Sequence, residues 1–208
     1  MNVNNQANAD PKIELVEQGG EVTLLFDDRQ AMQAWERDLM FASGDLLCEF
    51  GPDFLEVGLG LGLSALRIAE NPRVRRHVVV EKYKQVIDLF NDRHPSLPGT
   101  LEIVEADFFD YIHEVKPASL DGIFFDPFLP AEMGNDEKLW REVTPLIVTA
   151  LKPGGAFIPF FATRPELKWP FCEYFDRIIV HRRAFEAYPT TRYTHGTSGH
   201  AYIQCFIR

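Results

Sequence analysis

The residues with the clearest chemical potential begin at Glu56, where the run Glu56-Val-Gly-Leu-Gly-Leu-Gly62 closes a short apolar segment. Gly58 and Gly60 let a chain leaving a strand turn sharply and bring its backbone against a ligand. A helix starting near Gly62 would offer its N-terminus to the same ligand. Glu81 ends the next apolar segment, where a carboxylate can accept hydrogen bonds from both hydroxyls of a ribose. These two features fit a dinucleotide or S-adenosylmethionine. The glycines are spaced GxGxG, not GxGxxG, and Glu56 would repel a pyrophosphate but suits the ammonium of a methionine moiety. Ala106-Asp107-Phe108 sets a carboxylate beside an adenine amino group and an aromatic beside its ring, and Lys82 is grouped with these cofactor residues. Leu151-Lys-Pro-Gly-Gly155 reads directly only as a helix stop and a tight turn.

These residues need elements to position them. After Pro52 short apolar strands alternate with helix-length segments: strands at 54–57, 77–80, 101–104, 122–125, 156–161, 177–180 and 201–206, helices near 62–70, 83–93, 108–115, 136–151 and 166–174. Strands without polar alternation, separated by helices, predict an α/β fold with a seven-stranded, mostly parallel, doubly wound sheet covered on both faces. The loop 184–199, rich in Thr, Tyr, His and Gly, suits a hairpin that makes the last strand antiparallel. Upstream, Ile13–Val16 and Val22–Phe26 flank Glu17-Gln-Gly-Gly20, a β-hairpin pattern. From Asp28 to about Ser43, Ala31, Met32, Trp35, Leu39 and Met40 recur at helical spacing, with Asp27 or Asp28 as N-cap. The chain thus divides into a disordered tail (1–12), a hairpin and helical cap (13–50) and the main domain (51–208).

Composition narrows the function classes. The 208 residues suit one compact domain with a small N-terminal extension, and 31 acidic against 21 basic residues give a net charge of −10. Such a chain lacks the positive field that binds phosphate backbones, so a nucleic-acid partner is not expected, and it would attract a small cation. No apolar run reaches the ~20 residues that span a bilayer, and the polar opening MNVNNQANADPK is no signal peptide, so a cytoplasmic protein with no membrane partner is expected. Cys48, Cys172 and Cys205 read as reduced thiols, and the six scattered histidines give no metal-ligand spacing. A homodimer is compatible with the sequence.

Together EVGLGLG, Glu81, ADFFD and LKPGG resemble the class I S-adenosylmethionine-dependent methyltransferases over roughly residues 53–162. That implies a Rossmann-like sheet, S-adenosylmethionine as cofactor, and a cofactor set of Glu56, Gly58, Gly60, Glu81, Lys82, Asp107, Phe108 and Asp126. Two segments sharpen the resemblance. Ala31-Met-Gln-Ala-Trp-Glu-Arg-Asp-Leu-Met40 is similar to the helix before the glycine loop in guanidinoacetate N-methyltransferases and the related fungal arginine N-methyltransferases. Gly122-Ile-Phe-Phe-Asp126, followed by Pro-Phe-Leu-Pro130, resembles their GILYDTYP. In that family the matching acids grip the substrate guanidinium. The resemblance therefore implies Glu36 and Asp126 as catalytic carboxylates, with Trp35, Met40 and Phe128 beside the substrate.

The chemistry is consistent with that implication. A guanidinium presents a planar fork of donors, and two carboxylates can each take paired hydrogen bonds, fixing one nitrogen in line with a methyl donor. The bland readings stay open: Glu36 as a surface acid on an amphipathic helix, Asp126 as a turn-former before Pro127. After Asp126 the chain reads PFLPAEMGNDEKLW, without the threonine-tyrosine-proline of the guanidinoacetate enzymes. Free arginine or a similar guanidino compound is therefore the expected substrate. Glu132 is a third candidate acid. His195, within Tyr193-Thr-His-Gly-Thr-Ser-Gly-His200, is a candidate to cover the site, and this run resembles the Thr-His loop of protein arginine methyltransferases. Rival readings are a methyltransferase of another small amine or carboxylate, an aminopropyltransferase of the spermidine synthase type, and a non-catalytic S-adenosylmethionine-binding protein.

Overall fold

The computed structural model describes residues 11–208. Residues 1–10 of the expected tail lie outside the described residues, and Lys12 is already tied into the fold through Asp27, whose Oδ1 accepts its backbone N–H at 3.0 Å. The chain opens with three antiparallel strands, β1 (Ile13–Gln18), β2 (Glu21–Phe26) and β3 (Arg29–Gln33), in the order β1-β2-β3. The first hairpin is the expected one. The second replaces the first part of the expected helix. Asp27 adopts φ 52°, a left-handed value that Asp tolerates better than most residues, and this reverses the chain so that Leu24 faces Met32 and Phe26 faces Arg29. Ala31 and Met32 are thus strand residues. A 3-10 turn at Ala34–Glu36 then leads into α1 (Arg37–Leu47), where Leu39, Met40, Leu46 and Leu47 are buried.

The main sheet comprises β4 (Asp53–Val57), β5 (Arg76–Glu81), β6 (Leu101–Glu105), β7 (Leu120–Phe125), β8 (Leu151–Pro159), β9 (Arg177–Glu186) and β10 (Ser198–Ile207). Their order is β6-β5-β4-β7-β8-β10-β9, parallel except for β10, which runs antiparallel to both neighbours. The seven-stranded, doubly wound sheet with an antiparallel final strand is therefore present. β9 and β10 reach further than expected, leaving 187–197 as the connecting loop. The Lys152-Pro-Gly-Gly155 segment sits inside β8 as an irregularity in its pairing with β7.

The helices are α2 (Leu63–Ala69), α3 (Lys84–Arg93), α4 (Phe108–Tyr111), α5 (Ala131–Gly134), α6 (Glu137–Ala150) and α7 (Trp169–Cys172). Apolar cores lie on both faces of the sheet, as a parallel sheet requires. On one face Phe125, Trp140, Phe157, Phe171 and Phe206 pack largely edge to face. The abundant phenylalanines are therefore mainly structural. Cys48, Cys172 and Cys205 are all free.

Candidate active site

The C-terminal ends of β4–β7 and the N-terminal sheet line an open pocket. Such strand ends are where ligands bind in open α/β sheets. Gly58, Gly60, Glu81, Lys82, Asp107, Phe108, Asp126 and Phe128 all line it. Gly58 has φ 87°, and a Cβ there would lie 2.7 Å from the Asp126 carbonyl oxygen. Only glycine lets β4 turn this close to the end of β7. The Glu81 carboxylate accepts backbone N–H groups from Leu59 and Tyr83, each at 2.9 Å. Burial pushes its pKa up, against the pull of those donors. Asp107 caps α4 by accepting the Phe109 N–H at 2.9 Å, and its other oxygen meets Lys82 Nζ at 2.9 Å. The N-terminal sheet forms the roof. Met32 Sδ accepts the Leu61 N–H at 3.3 Å, and Phe26 stacks on Phe128 with ring centroids 4.6 Å apart.

Glu56 does not line this pocket. It lies wholly buried beneath the glycine loop, its Oε1 accepting the Ser64 hydroxyl at 2.5 Å and its Oε2 3.0 Å from His77 Nε2. In the structure Glu56 is thus part of a buried polar cluster with Ser64 and His77, and its charge acts on Asp126.

Asp126, in the pocket lining, and Glu36, from a distant part of the chain, lie close enough for the Glu36 charge to act on Asp126. Asp126 follows β7, its backbone N–H bonded to the Val57 carbonyl at 3.0 Å. Desolvation raises its pKa well above the ordinary carboxylate value, and the Glu36 and Glu56 charges raise it further. Glu36, 4% exposed, accepts the Gln33 N–H at 2.7 Å and the Tyr193 hydroxyl at 2.6 Å on one oxygen. Burial lifts it to about 7 despite these bonds. Its place on the 3-10 turn beside α1 points it inward, so the surface-acid reading does not hold.

The remaining candidates separate. Trp35 packs against Phe161, Phe185 and Tyr193 and donates from Nε1 to Gln33 Oε1 at 3.1 Å, so it walls the Glu36 region. Phe128 sits in the pocket lining, stacked on Phe26, while Trp35 is not part of that lining. Met40 is 1% exposed and belongs to the core, because the second hairpin starts the helix later and turns this position inward. Glu132 is exposed on α5, while its neighbour Met133 faces the pocket. His195 is exposed and engages only through its backbone, donating to Thr163 Oγ1 at 3.0 Å.

Two residues were missed. Tyr193, two positions from the His195 that sequence reasoning chose, carries the loop's contact with Glu36. The same loop is strapped to the N-terminal sheet, Thr191 Oγ1 donating to Gln33 Oε1 and Gln30 Nε2 donating to the Thr190 carbonyl at 2.9 Å. Lys168 approaches Asp126 from the segment after β8, and each group alters the pKa of the other. The aromatic-rich loop was the only hint of the first, and nothing in the sequence marks the second.

The guanidinoacetate N-methyltransferase family model matches residues 13–161, covering the N-terminal sheet, the glycine loop, Glu36 and Asp126. The chain belongs to the guanidinoacetate N-methyltransferase family. Its fold is shared with spermidine synthase from Thermotoga maritima (TM-score 0.73, 16% identity, 95% of this chain and 69% of that one). It is also shared with the N-methyltransferase NodS from Bradyrhizobium japonicum WM9 (TM-score 0.61, 14% identity, 84% and 96%). No curated protein sequence matches the chain. The family places the protein among S-adenosylmethionine-dependent methyltransferases, and the pocket suits that cofactor: a glycine cradle, a carboxylate at the end of β5 and another at the end of β6. The matched span ends before Lys168, Tyr193 and His195. Among the described residues no helix is long and apolar enough to cross a membrane.

Proposed function

We propose that the protein methylates a guanidino nitrogen of a small molecule, free L-arginine or a related compound, with Glu36 and Asp126 gripping the guanidinium. The observation that carries this reading is the coupled pair itself. Asp126 lines the pocket, and Glu36, buried and from a distant part of the chain, lies close enough for its charge to act on Asp126, so the two acids would favour entry of a cation.

S-adenosylmethionine, when bound, supplies an electrophilic methyl on a sulfonium sulfur. Gly58 and Gly60 would give the backbone room to approach it, Glu81 would accept from its ribose hydroxyls, and Asp107 and Phe108 would hold its adenine. Glu36 and Asp126 accept guanidinium N–H bonds and hold one nitrogen in line for a single displacement. Entry of the cation favours the ionised form of both acids. Asp126 then takes at its carboxylate oxygen the proton that the attacking nitrogen must lose, and its raised basicity favours that transfer. The loop strapped over Glu36 by Tyr193 and Thr191 leaves the site suited to a free small molecule.

Mass spectrometry of arginine, guanidinoacetate, agmatine and an arginyl peptide incubated with protein and S-adenosylmethionine tests this reading. A methylated free guanidine is expected, and no transfer to any guanidine would overturn it. An aminopropyltransferase is the second reading, since the fold aligns with spermidine synthase over 95% of the chain. It predicts transfer from decarboxylated S-adenosylmethionine to a diamine, and the same spectra would detect that product.

A further inference from the structure

Lys168 is a half-buried cation that the proposed chemistry does not use. Its backbone N–H donates to Gln204 Oε1 at 3.0 Å, and Gln204, 1% exposed, also donates to the Glu166 carbonyl at 2.8 Å. The base of the side chain is therefore pinned to β10. Its ammonium stands 3.4 Å from the centroid of the Phe160 ring. The Phe160 N–H bonds the Phe125 carbonyl at 2.7 Å, which sets this ring beside the strand end from which Asp126 projects. Among the described residues no carboxylate lies within ion-pair distance of the Lys168 ammonium, and it makes no hydrogen bond. Burial pulls its pKa down to about 8, with the charges of Glu166 and Asp126 holding it up.

Removing an ammonium from water without a counter-ion is costly, and an aromatic face offsets only part of that cost. The Asp126 charge reaches it without closing an ion pair. Two acids and a nearby cation with no ion-pair partner among the described residues suit a ligand with charges of both signs. An anionic partner is what such a cation lacks in the free protein, and a substrate carboxylate would supply it.

Resting on the guanidino reading above, we infer that Lys168 binds the carboxylate of the substrate, so that the protein selects guanidino acids over guanidines lacking a carboxylate. Lys168 lies beyond the family-matched span of 13–161, so this specificity is carried by a part of the chain that the family model does not describe.

Two pairs of acceptors differing only in the carboxylate give the test: arginine with agmatine, and guanidinoacetate with methylguanidine. kcat/KM is measured for each on the wild type and on Lys168→Met and Lys168→Arg, with S-adenosylmethionine affinity as the check on folding. The wild type should prefer the acid of the pair it accepts. Lys168→Met should lower the acid-to-decarboxylated ratio by about tenfold or more, the scale of one charge-assisted hydrogen bond. Lys168→Arg should keep most of the preference. A ratio unchanged in a folded Lys168→Met, or a wild type that prefers the decarboxylated member, overturns the subsite while leaving guanidino methylation intact. Transfer to none of the four acceptors overturns the guanidino reading and the subsite with it.

Discussion

Glu36 shows how one residue's surroundings can set both a stability cost and an activity. Its pKa of about 7 lies above its ordinary 4.5. The folded protein therefore keeps a proton there that the unfolded chain releases between those values, and the stability of the neutral form is lost as pH rises through about 7. Glu36→Gln should therefore raise stability at pH 8, by about 1–3 kcal/mol, and change it little at pH 5, while turnover is lost. Denaturant titrations at the two pH values check this. Tyr193 acts on the same group, since its hydroxyl bond lowers the Glu36 pKa. Asp126 and, through it, Glu56 and Lys168 also carry charges that bear on this region. Tyr193→Phe removes the donor and should move the acidic limb of the kcat/KM profile to higher pH. A limb that stays in place would show that Tyr193 only packs against Trp35. Glu36 was legible only through the family resemblance of residues 31–40, and Asp126 through that of Gly122–Asp126 at the end of an expected strand. Tyr193 was not, because a hydrogen bond spanning 157 residues leaves no local trace.

At the scale of elements, the alternating strands and helices of 53–162 were readable because each apolar run is buried in a parallel sheet and bounded by glycine, proline or a helix cap. The second N-terminal hairpin was not. Ala31, Met32 and Trp35 have helical spacing, but a left-handed Asp27 turned the chain and set the first two in β3, Met32 opposite Leu24 of β2 and Ala31 at the shift in register. That strand puts Met32 over the glycine loop and Gln33 under the 187–197 loop. Gln33 is fully buried, donating to Thr23 Oγ1 at 2.9 Å and accepting from Trp35 and Thr191. Gln33→Leu would leave those donors and the Thr23 acceptor unsatisfied, which costs about 1–3 kcal/mol per lost partner that stays buried. The expected outcome is a lower thermal midpoint together with faster proteolytic cleavage within 187–197. Cleavage at the wild-type rate would mean that the strap does not hold the loop.

For the whole molecule, the net charge of −10 is spread mainly over a solvated surface, yet its field favours approach of a cation. Raising ionic strength should lower kcat/KM for a cationic guanidine chiefly through KM, with kcat little changed, since Glu36 and Asp126 are shielded from bulk salt. A steady-state salt series on the accepted guanidine reads this directly. In the proposed reaction the two halves of the site come from separate parts of the fold: β4–β7 with the N-terminal roof for the cofactor, and the 3-10 turn, β7 and the C-terminal loop for the substrate. Their shared residue is Asp126. The central claim is therefore tested by Asp126→Asn, measuring methyl transfer to the accepted guanidine by mass spectrometry and S-adenosylmethionine affinity by calorimetry on the same preparation. The account predicts that transfer is abolished while affinity stays within about a few-fold, the effect of less than one full kcal/mol. Undiminished turnover by that variant would contradict it.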